Sequence, residues 1–72
     1  MTYELTNEEK AVIVNQRLKN VESNIFNLEL SLIEENAVVT PNATNVSSLN
    51  AQLAEANAKK TALLAELSEV TA

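Results

Sequence analysis

The chain has 72 residues, a formal net charge of −5, and no cysteine, histidine or glycine. Without cysteine or histidine it forms neither disulfides nor the common zinc sites, and it cannot hold a serine–histidine or cysteine–histidine catalytic group. The negative charge repels phosphate backbones and anionic lipids, so we expect no nucleic-acid partner and no membrane partner.

The composition also predicts helices in a single small domain. Proline occurs once, at Pro41, and the aromatic residues are Tyr3 and Phe26. A chain without glycine makes the tight turns of β-hairpins with difficulty. We therefore treat residues 1–72 as one domain. A domain of this size that lacks disulfides and metals usually gains stability from another chain.

The first predicted element is a long helix over about residues 7–36. It follows a short extended lead, and Thr6 with Glu9 forms a capping-box pattern at its start. Asn36 is a reasonable terminator. Apolar residues recur along this helix at alternating spacings of three and four, the a/d repeat of a coiled coil. The members of this first seam are Ala11, Val14, Leu18, Val21, Ile25, Leu28 and Leu32.

The connection is predicted over about residues 37–44. It holds three consecutive β-branched residues, which are poor helix formers, and a proline that pushes Thr40 out of the helical region. Two starts of the second helix remain open. Thr40 could cap this helix with Pro41 at its first position, or the helix could begin later, near Thr44 or Asn45.

The second helix is predicted over about residues 45–70, and it carries a second a/d seam. The members of this seam are Val46, Leu49, Leu53, Ala56, Lys60, Leu63, Leu67 and Val70. Lys60 is the member that is not apolar, and two interpretations of it stay open. Its stem could lie along apolar neighbours while its ammonium reaches water, or it could fix the register, with Glu22 as a candidate partner.

Two seams of similar length and a short connection predict an all-α fold, an antiparallel two-helix coiled-coil hairpin. One register places Leu28 opposite Leu53, and sliding the helices by one heptad keeps the seam intact. The first register brings Arg17 near Glu66, whereas the second brings Arg17 near Lys59, so charge favours the first. That preference is small, and a short connection pulls toward the second.

A further set of apolar residues lies outside the seams and is the candidate interaction surface. Phe26, Leu30 and Ile33 are spaced as one stripe on the side of the first helix away from its seam, and Val12 and Ile13 add apolar surface near its start. The stripe could contact a second copy, contact a different protein, or pack locally against the valines of the connection. We expect a homo-oligomer, with a dimer of hairpins forming a four-helix bundle as the simplest closed assembly.

The remaining polar patterns do not predict chemistry. Glu34 and Glu35 are adjacent on a helix, so their side chains point about 100° apart and do not converge on one atom. Asn42 and Asn45 each begin a glycosylation acceptor pattern, but they are better explained as turn and cap residues. We therefore expect no enzyme, no cofactor and no metal site.

Three stretches of the chain resemble short uncharacterised proteins of marine T4-like tailed phages, notably cyanophages. They are residues 1–10 (MTYELTNEEK), residues 30–36 (LSLIEEN) and residues 48–53 (SLNAQL). The resemblance implies a viral origin and the cytoplasm of an infected host cell. It supplies no site residues, because no chemistry is assigned to that group.

The function that we expect is that of a non-enzymatic structural or protein–protein interaction module. The alternatives are a phage-encoded regulatory binder of a host protein and a minor virion component. The first residues lack the basic start and apolar core of a signal peptide, and no apolar run approaches about 18 residues, so we expect a cytoplasmic protein.

Overall fold

The protein is an antiparallel hairpin of two long helices. The computed structural model describes residues 4–72, in which α1 spans Asn7–Asn36 and α2 spans Ala43–Thr71. The hairpin measures 60 × 22 × 14 Å, and its helices pack along their length. The predicted all-α hairpin is therefore confirmed. The first part of the predicted extended lead, which includes Tyr3, lies outside the described residues.

The start of α1 is closed by the capping box that the sequence predicts. The Glu9 amide donates to Thr6 Oγ1 at 3.1 Å, and the Thr6 amide donates to Glu9 Oε1 at 3.0 Å. Glu8 and Glu9 also place negative charge in the first turn, where the helix dipole is positive. Two backbone donors that a helix start leaves unpaired are satisfied in this way.

The other end of α1 stops at Asn36 without a left-handed residue. The amide of Ala37 donates to the carbonyls of Ile33 (3.0 Å) and Glu34 (3.3 Å), while Ala37 itself keeps right-handed helical angles. No residue in the described part of the chain has a positive φ. A chain without glycine thus ends its first helix by a short tightened turn.

The second helix begins between the two starts that the sequence left open. Asn42 is its N-cap, with Oδ1 accepting from the amides of Thr44 (2.9 Å) and Asn45 (3.1 Å). The amide of Asn42 donates in turn to Glu35 Oε1 at 3.0 Å, across the connection. The cap therefore lies two residues beyond Thr40, because Asn42 has a local bond for its side chain and a bond from α1 for its backbone.

The two seams meet as predicted. All fifteen seam positions are buried or half-buried, whereas most other residues of the helices are exposed. Ala56 is the most buried of the core residues, at 3% exposure, and it packs with Ile25 and Leu28. These three residues lie in the half of the hairpin that contains the connection, whereas Val14, which is also buried, lies nearer the termini.

The register is the one that places Leu28 opposite Leu53. Lys60 Nζ lies 2.5 Å from Glu22 Oε1, next to its seam neighbour Val21. After a slide of one heptad Lys60 would face Val14, about 12 Å along the axis from Glu22 and beyond its reach. The structure therefore has the first of the two registers.

Of the two ion pairs that the sequence suggested, the structure forms the one between Lys60 and Glu22. Among residues 4–72 the ion pair joins Lys60 to Glu22, and none joins Arg17 to Glu66. The stem of Lys60 occupies a seam position while its ammonium reaches the surface, and the pair forms in this register only. The first interpretation of Lys60 is therefore confirmed, whereas a role in fixing the register stays a prediction.

Neither α1 nor α2 is long and apolar enough to cross a membrane, within the part of the chain that is described.

Removing the N-cap of α2 tests how the connection is held. We expect Asn42→Ala to lower the free energy of unfolding by about 1 kcal/mol, since two amides of the first turn lose their acceptor. The measurement is urea unfolding followed by circular dichroism at 222 nm. Thr40→Ala is the control and should change stability by less than about 0.3 kcal/mol. An equal loss of stability in both variants would mean that Asn42 is not the residue that caps α2.

A charge reversal tests the Lys60–Glu22 pair. Lys60→Glu sets two carboxylates together beside the seam, and we expect it to lower the unfolding free energy by about 1–2 kcal/mol. Glu22→Lys added to Lys60→Glu restores opposite charges and should recover about 0.5 kcal/mol of that loss. Thermal unfolding of the unchanged protein, the two single variants and the double variant gives the coupling energy between the two side chains. Strictly additive effects would mean that the pair contributes nothing to the register.

Candidate interaction surface

An apolar patch faces outward from α1, and we call it the outer patch. It consists of Phe26, Leu30 and Ile33, which are 59%, 38% and 65% exposed. These residues follow one another at spacings of four and three, so they lie on one side of the helix. That side is turned away from α2, because the seam residues Ile25 and Leu28 face the opposite direction and are buried.

The connection does not cover the outer patch. Val38 is exposed, and Val39 is 101% exposed, as much as in an extended chain. Ile33, the patch residue closest to the connection in sequence, also stays open to solvent. Local packing of the patch against these valines, one of the three alternatives, is therefore wrong. The apolar surface of the connection adds to that of the patch.

The structure separates Val12 and Ile13 from the outer patch. Both are exposed, but Val12 precedes Phe26 by two heptads, about 21 Å along the helix, and Lys19 occupies the same side of α1 between them. Ile13 lies on the other flank of the seam. Of the five residues predicted for an interaction surface, the fold thus brings three together.

The charge of the hairpin is divided unevenly between its two halves. Residues 20–58, the half that contains the connection, hold five glutamates and no lysine or arginine. The other half holds five acidic and five basic residues, so the whole formal charge of −5 belongs to the connection half. The outer patch lies in this acidic half, with exposed Glu29 and Glu34 on its two flanks.

Two open grooves run along another face of the hairpin, and sequence reasoning missed both. One has a volume of about 400 Å³ and is lined by Arg17, Asn20, Val21, Lys59, Ala62 and Leu63. The other, of about 390 Å³, lies near the connection and is lined by Ser31, Glu34, Glu35, Asn45, Ser48, Leu49 and Gln52. From the sequence, we expect Arg17 near Lys59 only in the second register, yet both residues line one groove in the first register. Because both lie directly beside a seam, the sequence contained the information needed to predict that they share this groove.

The acidic residues near the connection do not form a reactive site. Glu35 accepts the amide of Asn42, whereas Glu34 lies on the neighbouring flank of α1 and is exposed. Within residues 4–72 no group of three or more acidic side chains is placed to hold a metal ion. The carboxylate of Glu35 instead ties the connection to the end of α1.

Two adjacent residues of α1 allow the buried seam and the outer patch to be compared directly. We expect Ile25→Ala to lower the unfolding free energy by about 3 kcal/mol, because a buried side chain is removed from the core. At a protein concentration too low for self-association, Phe26→Ala should change it by less than about 0.5 kcal/mol, since this ring is mostly exposed in the single hairpin. Urea unfolding measures both. A large loss in the Phe26 variant would mean that the ring is covered within the hairpin.

Comparisons with known proteins identify no relative of this chain. No family model matches it, and neither does any curated protein or solved structure.

Proposed function

We propose that this chain is a non-enzymatic structural or protein–protein interaction module, and that the outer patch is its docking surface. The observation that carries the proposal is the exposure of Phe26, Leu30 and Ile33 on one side of a well-packed helix. Contiguous apolar surface on a small protein usually marks a contact with another molecule. A hairpin of two helices has no third element with which to cover it.

The side-chain inventory supports the non-enzymatic part of the proposal. The chain has no histidine and no cysteine, the residues most used as proton carriers and nucleophiles. Its grooves are open, so water would reach any group that lined them. The adjacent Glu34 and Glu35 diverge, and one of them already serves the backbone of the connection.

A second copy of the chain is the first candidate for the docked molecule. Two hairpins that face each other through their outer patches would form a four-helix bundle, which closes by two-fold symmetry and leaves no patch exposed. A dimer also supplies the stabilisation that a domain of 72 residues without disulfides otherwise lacks.

A different protein is the second candidate. The stretches that resemble cyanophage proteins favour a role in an infected cell, where the hairpin would act in the host cytoplasm as a regulatory binder of a host protein, or would enter the virion as a minor component. The exposed valines of the connection extend the apolar surface beyond the outer patch, so such a partner has further apolar surface to contact.

Self-association is tested by the mass in solution. At high micromolar concentration, light scattering should give twice the 7.8 kDa of the chain. Phe26→Asp should return the mass to that of the monomer, whereas Gln16→Asp, which adds the same charge at an exposed position of α1, should not. Raising the salt from about 0.05 M to about 0.5 M should strengthen the dimer, because it screens the acidic halves.

The opposite results would be informative. A folded monomer under all these conditions would rule out self-association and leave the second candidate. A dimer that survives Phe26→Asp would mean that two copies meet through another face.

A further inference from the structure

The charges around the outer patch favour one kind of partner. Resting on the function proposed above, we propose that the outer patch binds an amphipathic helix of a different protein that carries lysine or arginine on both sides of an apolar stripe. Such a segment supplies both things that the acidic half of the hairpin lacks, a cover for its apolar surface and positive charge.

The shape of the outer patch suits a helix. Phe26, Leu30 and Ile33 form a stripe about 10 Å long on the outside of α1. The backbone amides and carbonyls beneath it are already bonded within the helix, so an added β-strand has nothing to pair with. A helix that lays an apolar stripe along this one can interdigitate its side chains with all three residues.

The flanks of the outer patch supply the charge. Glu29 follows Phe26 by one turn on one side, and Glu34 follows Leu30 by one turn on the other. Both are exposed, and within residues 4–72 neither carboxylate is held by an ion pair, in contrast to that of Glu22. A partner with basic residues on both sides of its stripe would meet one carboxylate on each side.

A second copy can cover the apolar stripe, but it meets the flanking carboxylates with charges of the same sign. Residues 20–58 contain no base, and Lys19, the nearest one on α1, precedes Phe26 by a full heptad. When two outer patches meet with antiparallel helices, Glu29 comes near Glu29 of the second copy, and with parallel helices it comes near Glu34 of that copy. Each exposed pair of like charges weakens binding a little, and the two acidic halves add to the repulsion.

The probes that test the proposal are three labelled synthetic peptides. Each is a helix of about four turns with the same leucine stripe, flanked by lysine, by glutamine or by glutamate. We expect the lysine peptide to bind most tightly and the glutamate peptide not to bind, as measured by fluorescence anisotropy. Binding of the lysine peptide should weaken as salt rises, opposite to the effect of salt on the dimer.

Two matched double variants locate the charge. Glu29→Gln with Glu34→Gln should weaken the lysine peptide about fivefold. Glu66→Gln with Glu69→Gln removes the same charge from the other half of the hairpin and should weaken it less than about twofold. Phe26→Ser should weaken it about tenfold, because the ring is the largest apolar group of the patch. Circular dichroism shows whether each variant remains folded.

The outcomes separate this proposal from the function on which it rests. Equal loss in the two double variants would mean that the peptide senses only the overall charge, and it would overturn the proposal. If lysine and glutamine peptides bind equally, and both depend on Phe26, the docking function stands while the preference for a basic partner falls. If neither a peptide nor a second copy depends on Phe26, the docking function falls as well.

Discussion

The two helices contact each other along one seam, and the rest of the structure depends on which side chains pack in that seam. The helices come together around Ala56, whose small side chain packs against Ile25 and Leu28. Within residues 4–72 no third helix covers α1, so its residues face either this seam or water. The depth of the core and the exposure of the outer patch are thus two consequences of the same packing, since a helix that buries both Ile25 and Leu28 leaves Phe26 more than a quarter-turn away from the seam.

Polar bonds accompany the apolar seam along its length and at the connection. Lys60 with Glu22 forms an ion pair that a slide of one heptad would separate. At the connection, Glu35 accepts a hydrogen bond from the amide of Asn42, and the side chain of Asn42 caps α2. Apolar residues fill the seam in both registers. The Lys60–Glu22 contact is thus one polar interaction that the second register would lack.

The uneven charge gives the hairpin two different halves. Near the termini acidic and basic residues balance, so that half carries no net attraction for either sign. Around the connection the acids are unopposed, and they flank apolar side chains that water solvates poorly. In the complex proposed above, apolar area would provide affinity and the flanking carboxylates would provide discrimination, because like charges repel and opposite charges attract.

The sequence by itself determined the periodic features. The a/d spacing identified all fifteen residues that lose exposure in the seams, and the pattern of Thr6 and Glu9 identified the start of α1, because both follow from the geometry of one helix. The tertiary structure decided the register, the cap at Asn42 and the exposure of Val39. Each of these depends on where α2 lies beside α1. The carboxylate of Glu35 reaches Asn42 only after the chain has turned back, and spacing along one helix carries no information about such a contact.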